Sequence, residues 1–87
     1  MNADQALRLA NLHALQVVVS PFGTPLWRLD NHLWVTAHGW IPARNTFGDG
    51  LTVVEGGIDT LAATVPAAAH TLSVAAIEWA DKGCPTP

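Results

Sequence analysis

The chain reads as a small α+β domain: an antiparallel sheet of about four strands, with an N-terminal and a C-terminal helix packed on one face. Three observations carry this reading. Residues 3–15 and 66–82 hold good helix formers between start and stop signals. Between them lie short β-branched or alternating runs punctuated by Pro, Gly, Asn and Asp. The resulting order, helix first, strands next and helix last, favours an antiparallel meander over alternating strand–helix units.

Each element has its own justification. Ala3 to Leu15 consists largely of Ala, Leu, Gln and Arg, and Asn2 or Asp4 is placed to cap it. Leu12 and Leu15, with Leu9 nearby, form its expected apolar ridge, with Arg8 and Asn11 off it. Val17-Val18-Val19, within Gln16 to Ser20, favours a strand buried on both faces or nearly so. Pro21-Phe22-Gly23-Thr24-Pro25 supplies turn chemistry before a second strand, Leu26 to Leu29. Asp30-Asn31 is a tight turn, and His32 to His38 is the third strand. Gly39 to Gly50 is irregular, broken by Pro42, Asn45, Gly48, Asp49 and Gly50. Leu51 to Glu55 is the fourth strand, ended by Gly56-Gly57. Ile58 to Thr64 fits either a return strand or a helical turn, and its alanines favour the helix. Pro66 suits a first helical turn, and Ala69, Leu72, Ala76 and Trp79 repeat at spacings of three and four. Glu78 and Asp81 point away from that ridge. Lys82 suits the helix dipole, Gly83 the position after the cap, and Pro85 prevents resumption.

Length and composition bound the function. Eighty-seven residues make one domain, residues 1–87, burying about two-thirds of its unfolded surface. The balance of 49% hydrophobic against 13% charged residues is that of a globular chain. Net charge is −3, unevenly spread. Residues 1–44 set Arg8, Arg28 and Arg44 against Asp4 and Asp30, giving +1. Residues 45–87 set Asp49, Glu55, Asp59, Glu78 and Asp81 against Lys82, giving −4. Four cationic residues cannot neutralise enough phosphates for direct nucleic-acid binding. An acidic half suits a basic surface on another protein, although solubility explains it equally. The single cysteine, Cys84, excludes an internal disulfide and reads as a thiol on an untethered tail. No basic segment leads into an apolar run at the N-terminus, and Leu61 to Ala80 is interrupted by Pro66, His70, Ser73 and Glu78. A cytoplasmic protein that makes no membrane contact is the expectation.

Catalytic and cofactor chemistry finds little footing. Trp34-Val35-Thr36-Ala37-His38 resembles the strand around the catalytic histidine of trypsin-like serine proteases. However, the chain is far shorter than two β-barrels, and Ser20 and Ser73 have no triad context. His32 and His38 share a strand face but stand about 20 Å apart, and His13 and His70 lack a ligand one helical turn away. Asp30, Asp49, Glu55 and Asp59 lie in or beside turns, where such residues serve the backbone. Gly48-Asp49-Gly50 and Gly56-Gly57 lack a phosphate-loop motif. The expectation is therefore no catalytic residue, no metal and no cofactor.

The remaining signal is the alternating stretch His32 to Trp40. Period two puts Leu33, Val35 and Ala37 on one face and His32, Trp34, Thr36 and His38 on the other. If the helices cover the aliphatic set, the second face is open, and Trp40 extends it. The alternative is that Trp34 and Trp40 cover a second small core under residues 39–50. On the open-face reading, Arg28, His32, Trp34, Thr36, His38 and Trp40 form a partner-binding face, with Arg28 beside Trp34 across the turn. Trp79 is assigned to the core, and Trp27 beside its neighbouring strands.

The functional expectation is a non-enzymatic protein–protein interaction module that acts on another protein or on itself as a homodimer. Proteins of this size and charge are common among phage and mobile-element products, including inhibitors of host defence complexes such as anti-CRISPR proteins. Such an inhibitor would act by steric blocking. The alternatives are a self-associating subunit of a larger assembly, and a small-molecule binder or enzyme.

Overall fold

A computed structural model describes residues 2–29, 32–35, 42–44 and 50–85, with the backbone alone at 32, 33, 35 and 42–44. The first helix, α1, spans Ala3–Leu12. Asn2 caps it, its Oδ1 accepting from the Gln5 amide at 2.9 Å, while Gln5 Oε1 reaches back to the Asn2 amide. Helix α1 ends earlier than the composition suggests. Ala14 adopts φ 59°, and the Leu15 and Ala14 amides donate to Ala10 and Asn11 carbonyls. That pattern is a Schellman closure with alanine where glycine is usual. It turns the chain directly into the sheet.

Five strands follow among the described residues: β1 Gln16–Val19, β2 Pro25–Leu29, β3 His32–Val35, β4 Pro42–Arg44 and β5 Thr52–Val53. All pairings are antiparallel, in the order β4-β3-β2-β1-β5. The sheet is in substance the three-stranded meander β1–β3, with two short strands at its edges. The short strand Pro42–Arg44 replaces part of the expected irregular segment, and β5 is shorter than expected. The Asp30-Asn31 turn, residues 36–41 and residues 45–49 lie outside the described residues. Ser20 fixes the β1–β2 hairpin. Its buried hydroxyl accepts from the Phe22 and Thr24 amides, and its own amide donates to the Thr24 carbonyl.

Two helices complete the chain: α2, Ile58–Thr64, and α3, Pro66–Asp81, with Pro66 at the start as expected. Helix α3 packs on β2 and against both α1 and α2, so it is the hub of the molecule. Its ridge is the one read from spacing: Ala69, Leu72, Ala76 and Trp79 are all buried. Its end is a second Schellman closure. Gly83, at φ 86°, donates to Ala80, and Cys84 donates to Trp79. The thiol is therefore not on a loose tail. Cys84 is half-buried against the core, and the Trp79 indole N–H donates to the Pro85 carbonyl at 2.9 Å.

Three expectations are corrected. Leu12 is 79% exposed, so the apolar ridge of α1 is not Leu9–Leu12–Leu15. Ala6 and Ala10 are the fully buried pair, because a small-residue face lets α1 approach α3 closely, with Leu7 and Leu9 packed at the side. Trp34 is only 1% exposed. It belongs to the core shared with α3, its ring 6.3 Å from that of Trp79 and edge-on. The face toward the helices thus carries Val17, Trp27 and Trp34, and the pleat assigns positions 33 and 35 to the other side. That other side is not open either. Val18 and Leu26, paired in register and outside the main core, are completely buried.

Two stability changes follow. Trp34→Ala should lower unfolding free energy by about 3–5 kcal/mol in urea titration, the cost of emptying a large buried aromatic site. Ala14→Gly should raise it by about 0.5–1 kcal/mol, because relief of a left-handed alanine exceeds glycine's added unfolded-state entropy.

Candidate functional site

Arg28 and Trp34 of the expected binding face are not brought together, and Trp34 is buried. Trp34 is opposite Trp27 in register, and Arg28 is opposite Leu33, so Arg28 and Trp34 occupy different faces of the sheet. His32 pairs with Leu29 at the far end of the hairpin. Thr36, His38 and Trp40 lie outside the described residues. Arg28 is half-buried, and its Nη2 donates to Gln16 Oε1 on β1 at 2.8 Å. Among the described residues no acceptor meets its buried Nε.

A different site is present, built by two left-handed turns. The first is the Ala14 reversal, which sets α1 against the start of β1. The second is Glu55-Gly56-Gly57, where Gly56 and Gly57 at φ 82° and 69° swing the chain from β5 into α2. The Gly57 amide closes that turn onto the Val54 carbonyl, and the Val54 amide donates to Val17 on β1. The φ of 82° at Gly56 is what favours glycine there, since the exposed Thr60 hydroxyl beside it can rotate away from an added Cβ. Between the two turns lies a half-open groove of ≈ 290 Å³. Buried Leu15, Val17 and Trp27 form its floor, with Leu7 and Ile58 at the sides. Exposed Asn11, Gln16 and Glu55 form its polar rim.

Among the described residues no histidine, cysteine, serine or threonine lines this groove, and Glu55 is the one charged lining residue. An acid–base pair or activated nucleophile needs a second group within hydrogen-bond reach, which the lining does not supply. Among the described residues no group of three or more metal-ligating side chains converges. His13 instead lies edge-on to Trp79, ring centres 5.2 Å apart, and His70 is solvent-exposed. Among the described residues no helix is long and apolar enough to cross a membrane. The groove can take an apolar group and offer the Glu55 carboxylate and the Asn11 amide to a donor beside it, whereas the Gln16 amide is engaged by Arg28.

Comparison with known proteins gives no match: no family model, curated protein or solved structure corresponds to this chain.

Asn11, Gln16, Glu55 and Trp27 were not singled out together by sequence reasoning. The Gly56-Gly57 pair was the available signal, since a double glycine after a strand marks a sharp reversal. Because among the described residues no acceptor meets the buried Arg28 Nε, Arg28→Met should leave stability unchanged or raise it by up to about 1 kcal/mol in thermal and urea unfolding.

Proposed function

We propose that this chain is a non-enzymatic interaction module that docks another protein at the groove between α1, β1 and the 55–57 turn. The observation that carries this reading is the exposed carboxylate at the rim. Glu55 is exposed above an apolar floor, and among the described residues no hydrogen bond or ion pair ties its carboxylate. The complementary group is an apolar side chain flanked by lysine or arginine. Asp59, exposed in the first turn of α2, adds charge of the same sign, as does the −4 balance of residues 45–87. Such a field steers a basic partner and selects against acidic ones.

Small size and acidity also support a narrower version: a phage or mobile-element inhibitor acting in the cytoplasm. It would lie over a basic surface of a host defence complex that otherwise holds nucleic acid. The groove keeps a small-molecule reading in play, for an apolar amine would meet the same floor and rim.

The test is capture of a partner from host lysate by wild type beside Glu55→Lys, followed by titration of the purified pair. Charge reversal should weaken binding about tenfold or more, and added salt should weaken the wild-type complex. A partner held equally well by the folded variant would sink the proposal.

A further inference from the structure

The size of the groove beside the 55–57 turn bounds what enters it. At ≈ 290 Å³ it stands at the lower end of ligand pockets, about 300–1,000 Å³, so it takes one side chain and the atoms next to it. The residue that supplies the apolar group must therefore supply the cation as well. The apolar demand comes from the floor, Leu15, Val17 and Trp27, and from Val53 at the edge, which is 43% exposed. The polar demand comes from Glu55 and Asn11. Both are exposed, and among the described residues neither side chain is engaged in a hydrogen bond. A carboxylate only accepts, whereas a primary amide both accepts and donates. The matching ligand thus joins a cationic donor, a carbonyl acceptor and an apolar side chain.

The first residue of a polypeptide has all three on one Cα. Its ammonium carries a positive charge and three donors, and its carbonyl and side chain are each one bond from the same carbon. A lysine or arginine within a chain places its cation at the end of a flexible stem, and holding that stem across the floor costs rotamer freedom.

We infer that the groove takes the free amino terminus of a partner polypeptide whose first residue is large and apolar. The α-ammonium lies against Glu55 and the Asn11 amide oxygen, and the side chain covers the floor. This inference rests on the docking reading above and narrows it. The half-open mouth agrees, because the second and later residues of the partner leave through it. The field agrees as well: Asp59, exposed in the first turn of α2, adds negative potential near the ammonium.

Proton binding separates this ligand from an internal lysine. An α-amino group titrates near about 7.7–8.0, a lysine near about 10.4. Glu55 is the one charged lining residue, and among the described residues no histidine or cysteine lines the groove. A loss of binding between about pH 7 and 9 therefore belongs to the ligand.

The test is calorimetric titration of the full chain with the amidated tripeptide phenylalanyl-glycyl-glycine, with the Gly56 and Gly57 amide resonances locating the site. The free peptide should bind and shift both resonances. Acetylation of its amine should weaken binding about tenfold or more, and so should Glu55→Gln, which should melt as wild type because the side chain is exposed. The two losses should not add, since each removes the same contact. Affinity for the free peptide should also fall about tenfold from pH 7 to 9. An acetylated peptide with an internal lysine that binds as tightly through Glu55 overturns the inference and leaves docking of a basic segment standing. Phenethylamine that binds as tightly as the peptide overturns it in favour of a small amine. A free peptide that leaves both resonances unmoved at millimolar concentration overturns it too, and the docking reading is then decided separately by the Glu55→Lys capture experiment.

Discussion

The Trp27 indole N–H donates to the Leu72 carbonyl at 2.9 Å, in the interior, and this bond fixes how the two layers meet. A buried N–H without an acceptor costs about 1–3 kcal/mol, so β2 and α3 cannot slide past each other freely. The register then multiplies the constraint. Trp34 is opposite Trp27, and Trp79 lies two helical turns beyond Leu72. Two indoles on neighbouring strands therefore meet α3 at two heights on one side of it, and helix rotation and tilt are set together. With α3 fixed, α1 and α2 have defined surfaces to pack against, and Ala6, Ala10 and Leu61 complete one core.

Helices were legible in the sequence because their signals are local. The ridge Ala69–Leu72–Ala76–Trp79, Pro66 at the start and Gly83 after the end need only neighbours within a turn or two. The sheet was less legible, since alternation tells which residues share a face and not which face is inward. Leu33, Val35 and Ala37 form a plausible inner set by hydrophobicity alone. What overrides them is the cross-strand partner of Trp34, which is Trp27 and not Arg28. Two paired indoles each bury on the order of 150–250 Å², more than any aliphatic pair offers. Leu12 misled in the same way: leucine outranks alanine in hydrophobicity, but closeness between helices favours the smaller residue.

The groove was illegible for a topological reason. Its walls come from turns near positions 14 and 56, far apart in sequence and adjacent only because β5 pairs with β1. One turn announces itself as Gly56-Gly57. The other is hidden, because Ala14 occupies a left-handed position that sequence reading reserves for glycine or asparagine. Gln16, Glu55 and Asn11 are ordinary surface residues in sequence. They become a rim only when the two turns close the space between them.

Helix α2 divides the surface into two regions of opposite character. Just before it and at its start stand Glu55 and Asp59, both exposed and acidic; beyond Asp59 the chain carries no charge until Glu78. An acidic groove contact built on one apolar group and one carboxylate is weak by itself, because so small a contact must offset the loss of rigid-body freedom. For such a contact, the acidic field around Glu55 and Asp59 would act chiefly on the rate of encounter with a basic partner rather than on the strength of the contact itself.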